Sequence, residues 1–486
     1  MRIRPTTRTR HLSRATAAGA AAFTGLVLAF ATTAGPAQAA EAIPATDAEA
    51  EQFVEDRLAE DSSALSADEV PEGVSLDEAR DAVDGSDEIT SADIEYAAAL
   101  EDLPAEEGAD GSAEDFYASP AQLPEEDGAL IMQKSASFYL DPVKLIRHDA
   151  ETTTFMYRTT DEHGEARAAT ATLLTPSDKV GEHAENVVVH APGTQGIDDS
   201  CAPSRQLGMG TEYEGISVAS ALAAGHSVVI ADYVGLGTEG PHSYLNSTEE
   251  GRSVLDAARA AQQVEGGGID EESRLQLRGY SQGGHATTAA LEIADEWAPE
   301  LNIVSASAGA VPTDLEEVVT GVSAMQTGLL VLGLSSFAEQ AEVDLSELLN
   351  EEGLETVERT SGQCTIAALL SNAFSDTTEL TKDGRSFAEL VGDERFAEVL
   401  REQKLGDGPT PDVPVLVNHS RLDDVVPFEM GRGLAATWCR DGADVAFEDN
   451  IAPTHIGGYI GALPRVEIFT ARTFDGKRPL NSCWRL

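Results

Sequence analysis

The sequence predicts an α/β fold: a mainly parallel sheet with helices on both faces and an inserted helical cap. Three features predict it. Beyond Asp115-Phe116-Tyr117, short apolar segments of strand character alternate with amphipathic segments of helical period. One strand-to-helix junction carries a Gly-x-Ser-x-Gly pentapeptide, Gly279-Tyr280-Ser281-Gln282-Gly283. From about Pro312 to Gly408 the alternation stops and a helical region takes its place. At 486 residues the chain exceeds one comfortable core, which leaves room for several modules or one large domain with insertions.

Arg2, Arg4, Arg8, Arg10 and Arg14 precede an Ala-rich apolar run from about Ala17 to Ala31, and Ala37-Gln38-Ala39 follows. That order is expected of a secretory signal, residues 1–39, cleaved near Ala39; a retained anchor is the competing reading, and the small-residue cleavage site argues against it. No later segment is long and apolar enough to span a bilayer, so the processed chain should be secreted with no stable membrane anchor. Residues 40–112 are rich in Asp, Glu, Ala and Ser, with short helical patterns such as Asp93 to Leu100. This composition fits an acidic propeptide or spacer, or else a small helical domain that covers the site before processing. Residues 113–486 are expected to form the catalytic domain, with the cap at about 312–408.

The formal net charge is −53, and residues 41–128 alone hold 29 acidic against 2 basic residues. The remaining body is acidic as well. Such a field repels phosphate backbones and anionic membranes, which excludes a nucleic-acid partner. Solubility is the plain use of this charge, in saline surroundings where salt screens self-repulsion; equal stability at very low salt would contradict the saline part.

Buried strands are expected at Asn186 to His190, Ser227 to Asp232, Leu275 to Tyr280, Ile303 to Ala308, Val413 to Val417 and Val445 to Phe447. Helices fall between them at Tyr213 to Ala224, Thr248 to Val264 and Gly283 to Trp297. The second opens on Ser247-Thr248-Glu249-Glu250, whose Ser and Glu at a three-residue offset suggest a capping box. The apolar stretch Gly321 to Phe337 in the inserted region reads equally as buried core or as part of a cap.

The pentapeptide around Ser281 has the context of a nucleophile elbow, strand before and helix after. Its glycines allow a tight turn that forces Ser281 into a strained conformation and lifts its hydroxyl above the sheet. A serine hydroxyl needs a base, and the base needs an orienting carboxylate. In the order Ser, Asp, His, the one histidine that follows every plausible acid is His455, in a loop after the last expected strand. The acid is expected in Ser420-Arg421-Leu422-Asp423-Asp424-Val425-Val426-Pro427, at Asp423, with Asp424 facing solvent. Oxyanion donors are expected from the Gln282 amide and from Gly193-Thr194-Gln195-Gly196, where Thr194 and Gln195 are both candidates. Neither metal nor organic cofactor is expected: the chain has no His-Glu-x-x-His, and Gly235-Leu236-Gly237 does not continue into a dinucleotide fingerprint. Cys201, Cys364, Cys439 and Cys483 lie far apart without Cys-x-x-Cys spacing, so an exported chain should form two disulfides, with three pairings open.

With these residues placed, the chain from about Asp115 onward resembles the secretory lipase family. The resemblance rests on Asp115-Phe116-Tyr117 with Pro120, on Gly193 to Gly196 leading to Cys201-Ala202-Pro203-Ser204, and on Asp232 to Gly237. It continues through the pentapeptide, Asp423 before Val426-Pro427, Trp438-Cys439 and His455. It implies an α/β-hydrolase fold with a helical cap inserted before the acid, disulfides Cys201 to Cys364 and Cys439 to Cys483, and hydrolysis of acylglycerols or simpler esters. The long acidic segment before Asp115 departs from the family's short N-terminus.

The function expected is therefore a secreted carboxylic ester hydrolase, a triacylglycerol lipase or lipid esterase. An acyltransferase or polyester depolymerase could use the same acyl-enzyme, and products formed with water and alcohol competing would separate them. A peptidase is disfavoured by the lack of an accessory domain to confine peptides. A non-catalytic extracellular binding protein on this scaffold is the reading of another class, and covalent fluorophosphonate labelling discriminates against it.

Overall fold

A computed structural model describes residues 116–322 and 326–486. The expected signal (1–39) and acidic segment (40–112) lie outside the described residues, as does Asp115.

Runs of Val, Ile, Leu and Ala that bury both faces of a strand build the centre of the sheet. In β4 (Asn186–Ala191) and β5 (Ser227–Val234), Val187, Val189, Val229 and Ala231 face one apolar cluster, while Val188, Val228 and Ile230 face another. Successive strand side chains point to opposite faces, so a continuous apolar run is what a doubly covered strand requires. β6 (Arg274–Tyr280), β7 (Ile303–Gly309), β8 (Val415–Ser420) and β9 (Val445–Asn450) complete the parallel part, in spatial order β5-β4-β6-β7-β8-β9. These six strands match the six expected from the sequence.

Three further strands were not expected individually: β1 (Leu130–Ala136), β2 (Glu151–Thr160) and β3 (Ala166–Thr175). They form an antiparallel extension beyond β5.

Helices α1 (Pro203–Met209) and α2 (Gly215–Ala223) cover one face. Helices α3 (Ser247–Ala261) and α4 (Gln282–Trp297) cover the other, where their apolar side chains join the largest core cluster. Between β7 and β8 come α5 (Leu315–Gly321), α6 (Thr327–Gln340), α7 (Glu351–Ser361), α8 (Thr365–Asn372), α9 (Phe387–Val391) and α10 (Glu394–Glu402). Their side chains, Val331, Leu334, Phe337, Phe387 and Phe396 among them, pack in a cluster of their own with Tyr244 and Leu245. The chain ends with α11 (Phe428–Asp441) and α12 (His455–Phe474). Among the described residues, no helix is long and apolar enough to cross a membrane.

Two disulfides are present, Cys201–Cys364 and Cys439–Cys483, each with Cα atoms 5.3 Å apart. The first ties the segment after β4 to the start of α8. The second anchors the C-terminus to α11.

The capping box expected at Ser247 does not form. Asn246 is the N-cap, its side chain accepting the Glu249 amide at 3.1 Å. The Ser247 amide and hydroxyl both donate to Gln403 Oε1, at 2.7 and 3.0 Å. Glu250 turns inward instead of back to Ser247, because stronger partners lie there.

Candidate active site

The turn between β6 and α4 is possible only without side chains at its two ends. A Cβ built on Gly279 would lie 2.0 Å from the carbonyl oxygen of Gly283, and one on Gly283 would lie 2.0 Å from that of Ala191. Between them Ser281 adopts φ +60° and ψ −122°, a region that costs an L-residue about 1–3 kcal/mol. Its amide donates to the Gly309 carbonyl at 3.0 Å, and its carbonyl accepts the His285 amide at 2.9 Å. The strained residue is thus held from both sides, with its side chain half-buried.

Asp423 lies on the turn after β8. Its Oδ1 accepts the amides of Val425 and Val426, both at 2.9 Å. Its Oδ2 accepts His455 Nδ1 at 2.8 Å. His419, which sequence order set aside, stands against the same carboxylate: its Nε2 is 3.5 Å from Asp423 Oδ2 and 3.0 Å from the Val426 carbonyl. Burial alone would raise the Asp423 carboxyl, but the hydrogen bonds and charge of His419 and His455 outweigh it and hold the group well below the usual carboxylate range.

His455 is the first residue of α12, not part of a loop as the sequence suggested. Thr454, at φ +66°, caps the helix by accepting the Gly457 amide. The Asp423 bond fixes the imidazole by its Nδ1, so its Nε2 is left to meet a partner. That Nε2 is buried and, among the described residues, makes no hydrogen bond to Ser281 or to any other group. The ring sits beside the neighbour of Ser281, its centroid 5.0 Å from that of Tyr280, whose hydroxyl donates to the His455 carbonyl at 3.0 Å.

Asp424 does not simply face solvent. It is half-buried, and its Oδ1 accepts the His455 amide at 2.8 Å while Oδ2 accepts Gln326 Nε2 at 3.3 Å. It therefore holds the backbone of the histidine that Asp423 holds by the ring. The adjacency of two carboxylates in the sequence was the available signal for a paired role.

The loop after β4 is fixed by buried acids that the sequence reading missed. Glu214 Oε2 accepts the Gly193 amide at 2.7 Å and lies 3.2 Å from His190 Nε2. Glu212 Oε1 accepts Gln195 Nε2 at 3.1 Å and the Glu214 amide at 3.0 Å. Burial, with the neighbouring Glu214 charge, pushes the Glu212 carboxyl up to about 8. The Gly193 amide is thus occupied, which leaves Thr194 and Gln195 as the next amides along the loop. Thr194 is buried, its hydroxyl 2.9 Å from Tyr244 Oη and its carbonyl accepting Thr365 Oγ1 at 2.7 Å. Gln282 opens α4 directly after Ser281. Among the described residues, no group of three or more His, Cys, Asp or Glu side chains converges as a metal site.

A strained serine between β6 and α4, with a carboxylate–imidazole pair carried by the ends of β8 and β9, defines the α/β-hydrolase class. The fold agrees: the X-ray structure of Candida antarctica lipase A superposes with a TM-score of 0.65 at 24% identity, over 76% of this chain and 87% of that one. The profile of the secretory lipase family matches residues 201–482, and the chain belongs to that family. Among curated relatives, the secreted triacylglycerol lipase LIP7 of Malassezia globosa is 28% identical over 68% of this chain and 72% of its own. A Mycobacterium tuberculosis protein named as a probable inactive lipase is 27% identical over 75% of this chain and 83% of its own.

Proposed function

We propose that this protein is a secreted carboxylic ester hydrolase, a lipase or lipid esterase, acting through Ser281, His455 and Asp423 by way of an acyl-enzyme. The observation that carries the reading is the Asp423–His455 bond at 2.8 Å, which leaves a buried, unpartnered Nε2 beside the strained turn of Ser281.

In the proposed cycle, His455 Nε2 takes the Ser281 proton as Oγ attacks the ester carbonyl. Negative charge gathers on the carbonyl oxygen and is met by the amide of Gln282 and by that of Thr194 or Gln195. Asp423 stabilises the imidazolium and keeps its tautomer. The imidazolium protonates the departing alcohol, leaving the acyl group on Ser281. Water, deprotonated by the same nitrogen, then attacks the acyl carbon; the bond to Ser281 Oγ breaks as Oγ takes that proton back, and the carboxylic acid leaves.

The inserted helical region has an apolar interior. A cavity lined by Leu315, Val318, Leu334, Phe337 and Val425 joins helices α5 and α6 to the acid-bearing turn. Residues 312–408 are read as a cap on a catalytic domain of residues 113–486, and the acidic residues 40–112 before it as a propeptide or spacer, from the sequence. Secretion is supported by the two disulfides and the Arg-rich, apolar N-terminus.

Ser281→Ala should abolish hydrolysis of p-nitrophenyl esters and covalent labelling by a fluorophosphonate, with thermal unfolding unchanged. Retained turnover in that variant would reject the proposal. Rates on esters of increasing chain length, below and above their aggregation points, would then divide lipase from esterase.

A further inference from the structure

Behind the turn of Ser281 lies a buried charged cluster that the proposed cycle does not use. Glu250 of α3 is 1% exposed and His285 of α4 is 0% exposed. Glu250 Oε1 accepts the Leu245 amide at 2.9 Å and Gln282 Nε2 at 2.7 Å. Its Oε2 accepts His285 Nδ1 at 3.0 Å, and His285 Nε2 faces the Gln403 carbonyl at 3.3 Å. Both ring nitrogens of His285 therefore face oxygen atoms, a carboxylate on one side and a carbonyl on the other.

The Gln282 side chain is the link from this cluster to the reacting centre. Its Nε2 also lies 3.2 Å from His242 Nε2. His242 Nδ1 donates to the Val234 carbonyl at 3.0 Å, so its Nε2 is the acceptor. Burial, which pushes the His242 imidazole down, keeps it in that neutral form. Both protons of the Gln282 carboxamide are therefore engaged, one by a carboxylate and one by an imidazole. Gln282 is itself 1% exposed. The Gln282 N–H shares its peptide unit with the Ser281 carbonyl, which accepts the His285 amide at 2.9 Å, so the backbone holds one end of that unit and the pinned carboxamide restrains the other. The peptide plane in question carries the amide proposed to meet the oxyanion.

We propose that Glu250 is a positioning residue for ester hydrolysis, aiming the Gln282 backbone N–H through the Gln282 carboxamide. The inference rests on the reading of Ser281 as nucleophile. Glu250 touches neither substrate nor reacting atoms, and the effect proposed for it on the oxyanion donor runs through the Gln282 carboxamide. Because the oxyanion forms in the transition state and not in the bound ester, loosening its donor lowers kcat and leaves KM nearly alone. Removing an oxyanion donor outright costs about 10²–10³-fold in kcat, so misaiming one should cost roughly 10–100-fold.

The test compares Glu250→Ala, Gln282→Ala, the double variant and Glu250→Gln on p-nitrophenyl butyrate, with fluorophosphonate labelling rates and thermal unfolding measured alongside. Each single alanine variant should lose roughly 10–100-fold in kcat and in labelling rate at nearly constant KM. The double variant should be no worse than the poorer single one, since both break the same link. Glu250→Gln should keep most of kcat: its oxygen can accept from Gln282 and Leu245 while its amide donates to a neutral His285. Wild-type kcat in Gln282→Ala, losses that multiply in the double variant, or a change confined to KM would overturn the proposal. Should Glu250→Ala fail to fold, Gln282→Ala and Glu250→Gln decide alone. Ser281→Ala in the same series separates the failures: a labelled, active Ser281→Ala rejects the nucleophile, whereas a silent one beside an unimpaired Gln282→Ala rejects only the role of Glu250.

Discussion

Replacing Asp423 with Asn tests the orientation of the base with almost no change of volume. The side chain has two distinct ends: Oδ1 accepts two backbone amides, from Val425 and Val426 at 2.9 Å, and Oδ2 accepts His455 Nδ1 at 2.8 Å. If Asn keeps its oxygen toward the two amides, its NH₂ donates to Nδ1 and the imidazole proton moves to Nε2. The base then cannot accept the serine proton, which in a triad of this kind costs about 10⁴-fold, or roughly 5 kcal/mol of barrier. If Asn turns over to restore its oxygen to His455, its NH₂ faces two amide donors. Leaving two such groups unsatisfied costs about 1–3 kcal/mol each, so the inverted form gains little. Asp423→Asn should therefore lose about 10³–10⁴-fold in kcat on p-nitrophenyl butyrate, with circular dichroism showing native structure. The Asp424→Asn variant is the control: its oxygen can keep the 2.8 Å bond to the His455 amide, and its loss should stay within about 10-fold. Less than a 10-fold loss in Asp423→Asn, or a greater loss in Asp424→Asn, would refute the assignment of the acid. Stability gives a second reading. The Asp423 carboxyl is depressed in the folded state, so its contribution is complete above the unfolded value of about 4 and is lost as pH falls from there through the lower folded value. The difference in Tm between wild type and Asp423→Asn should close over that interval.

Glu212 makes the opposite prediction. Its carboxyl is raised to about 8 in the folded protein, so the stability it contributes is complete below its unfolded value and lost as pH rises through about 8. Glu212→Gln, which mimics the protonated acid, should match wild type near pH 5 and exceed it in Tm near pH 9; a lower Tm than wild type at the higher pH would contradict the burial argument. Removing the Cys201–Cys364 disulfide as a double Ser variant opens a cross-link spanning 163 residues, for which chain entropy allows up to about 5 kcal/mol. Denaturant unfolding should show a loss of about 2–5 kcal/mol, and unchanged stability would mean that the link adds nothing to the packing around α8.

The parallel strands were legible because burial on both faces demands unbroken apolar runs, as in β5, where all eight residues are buried. Strands β1 to β3 were not, because much of what they bury is Thr and Ala. Thr154, Thr170 and Thr172 are fully or almost fully buried, and the hydroxyls of Thr154 and Thr172 meet across the sheet at 3.3 Å. Hydroxyls that satisfy one another remain invisible to an apolar pattern. The glycines of the tight turn, Asp423 and His455 stood out by order and spacing, and the fold joins the last two by a 2.8 Å bond. What surrounds them did not, since Gln403 reaches Ser247 across 156 positions and Glu214 reaches Gly193 only through the fold. The helix that starts at His455 did leave a local mark: Pro453-Thr454 is a stop followed by a capping residue.

Buried carboxylate–imidazole pairs are a recurrent device in this chain, so a pair by itself does not mark a catalytic base. Glu214 holds His190, Glu250 holds His285, and Asp423 holds both His419 and His455. The distinction lies in the second ring nitrogen. That of His285 is consumed by the Gln403 carbonyl, which makes the ring a fixed donor. His419 keeps Nδ1 unpartnered, but that nitrogen packs where a Cβ on Gly431 of α11 would lie 2.4 Å away, with no room for a substrate. His455 alone among these combines a carboxylate on one nitrogen with an unpartnered nitrogen next to the strained turn at Ser281. A base needs a free lone pair facing a proton it can take. By that criterion His419 and His285 are structural, and His455 is the group proposed as the base of hydrolysis.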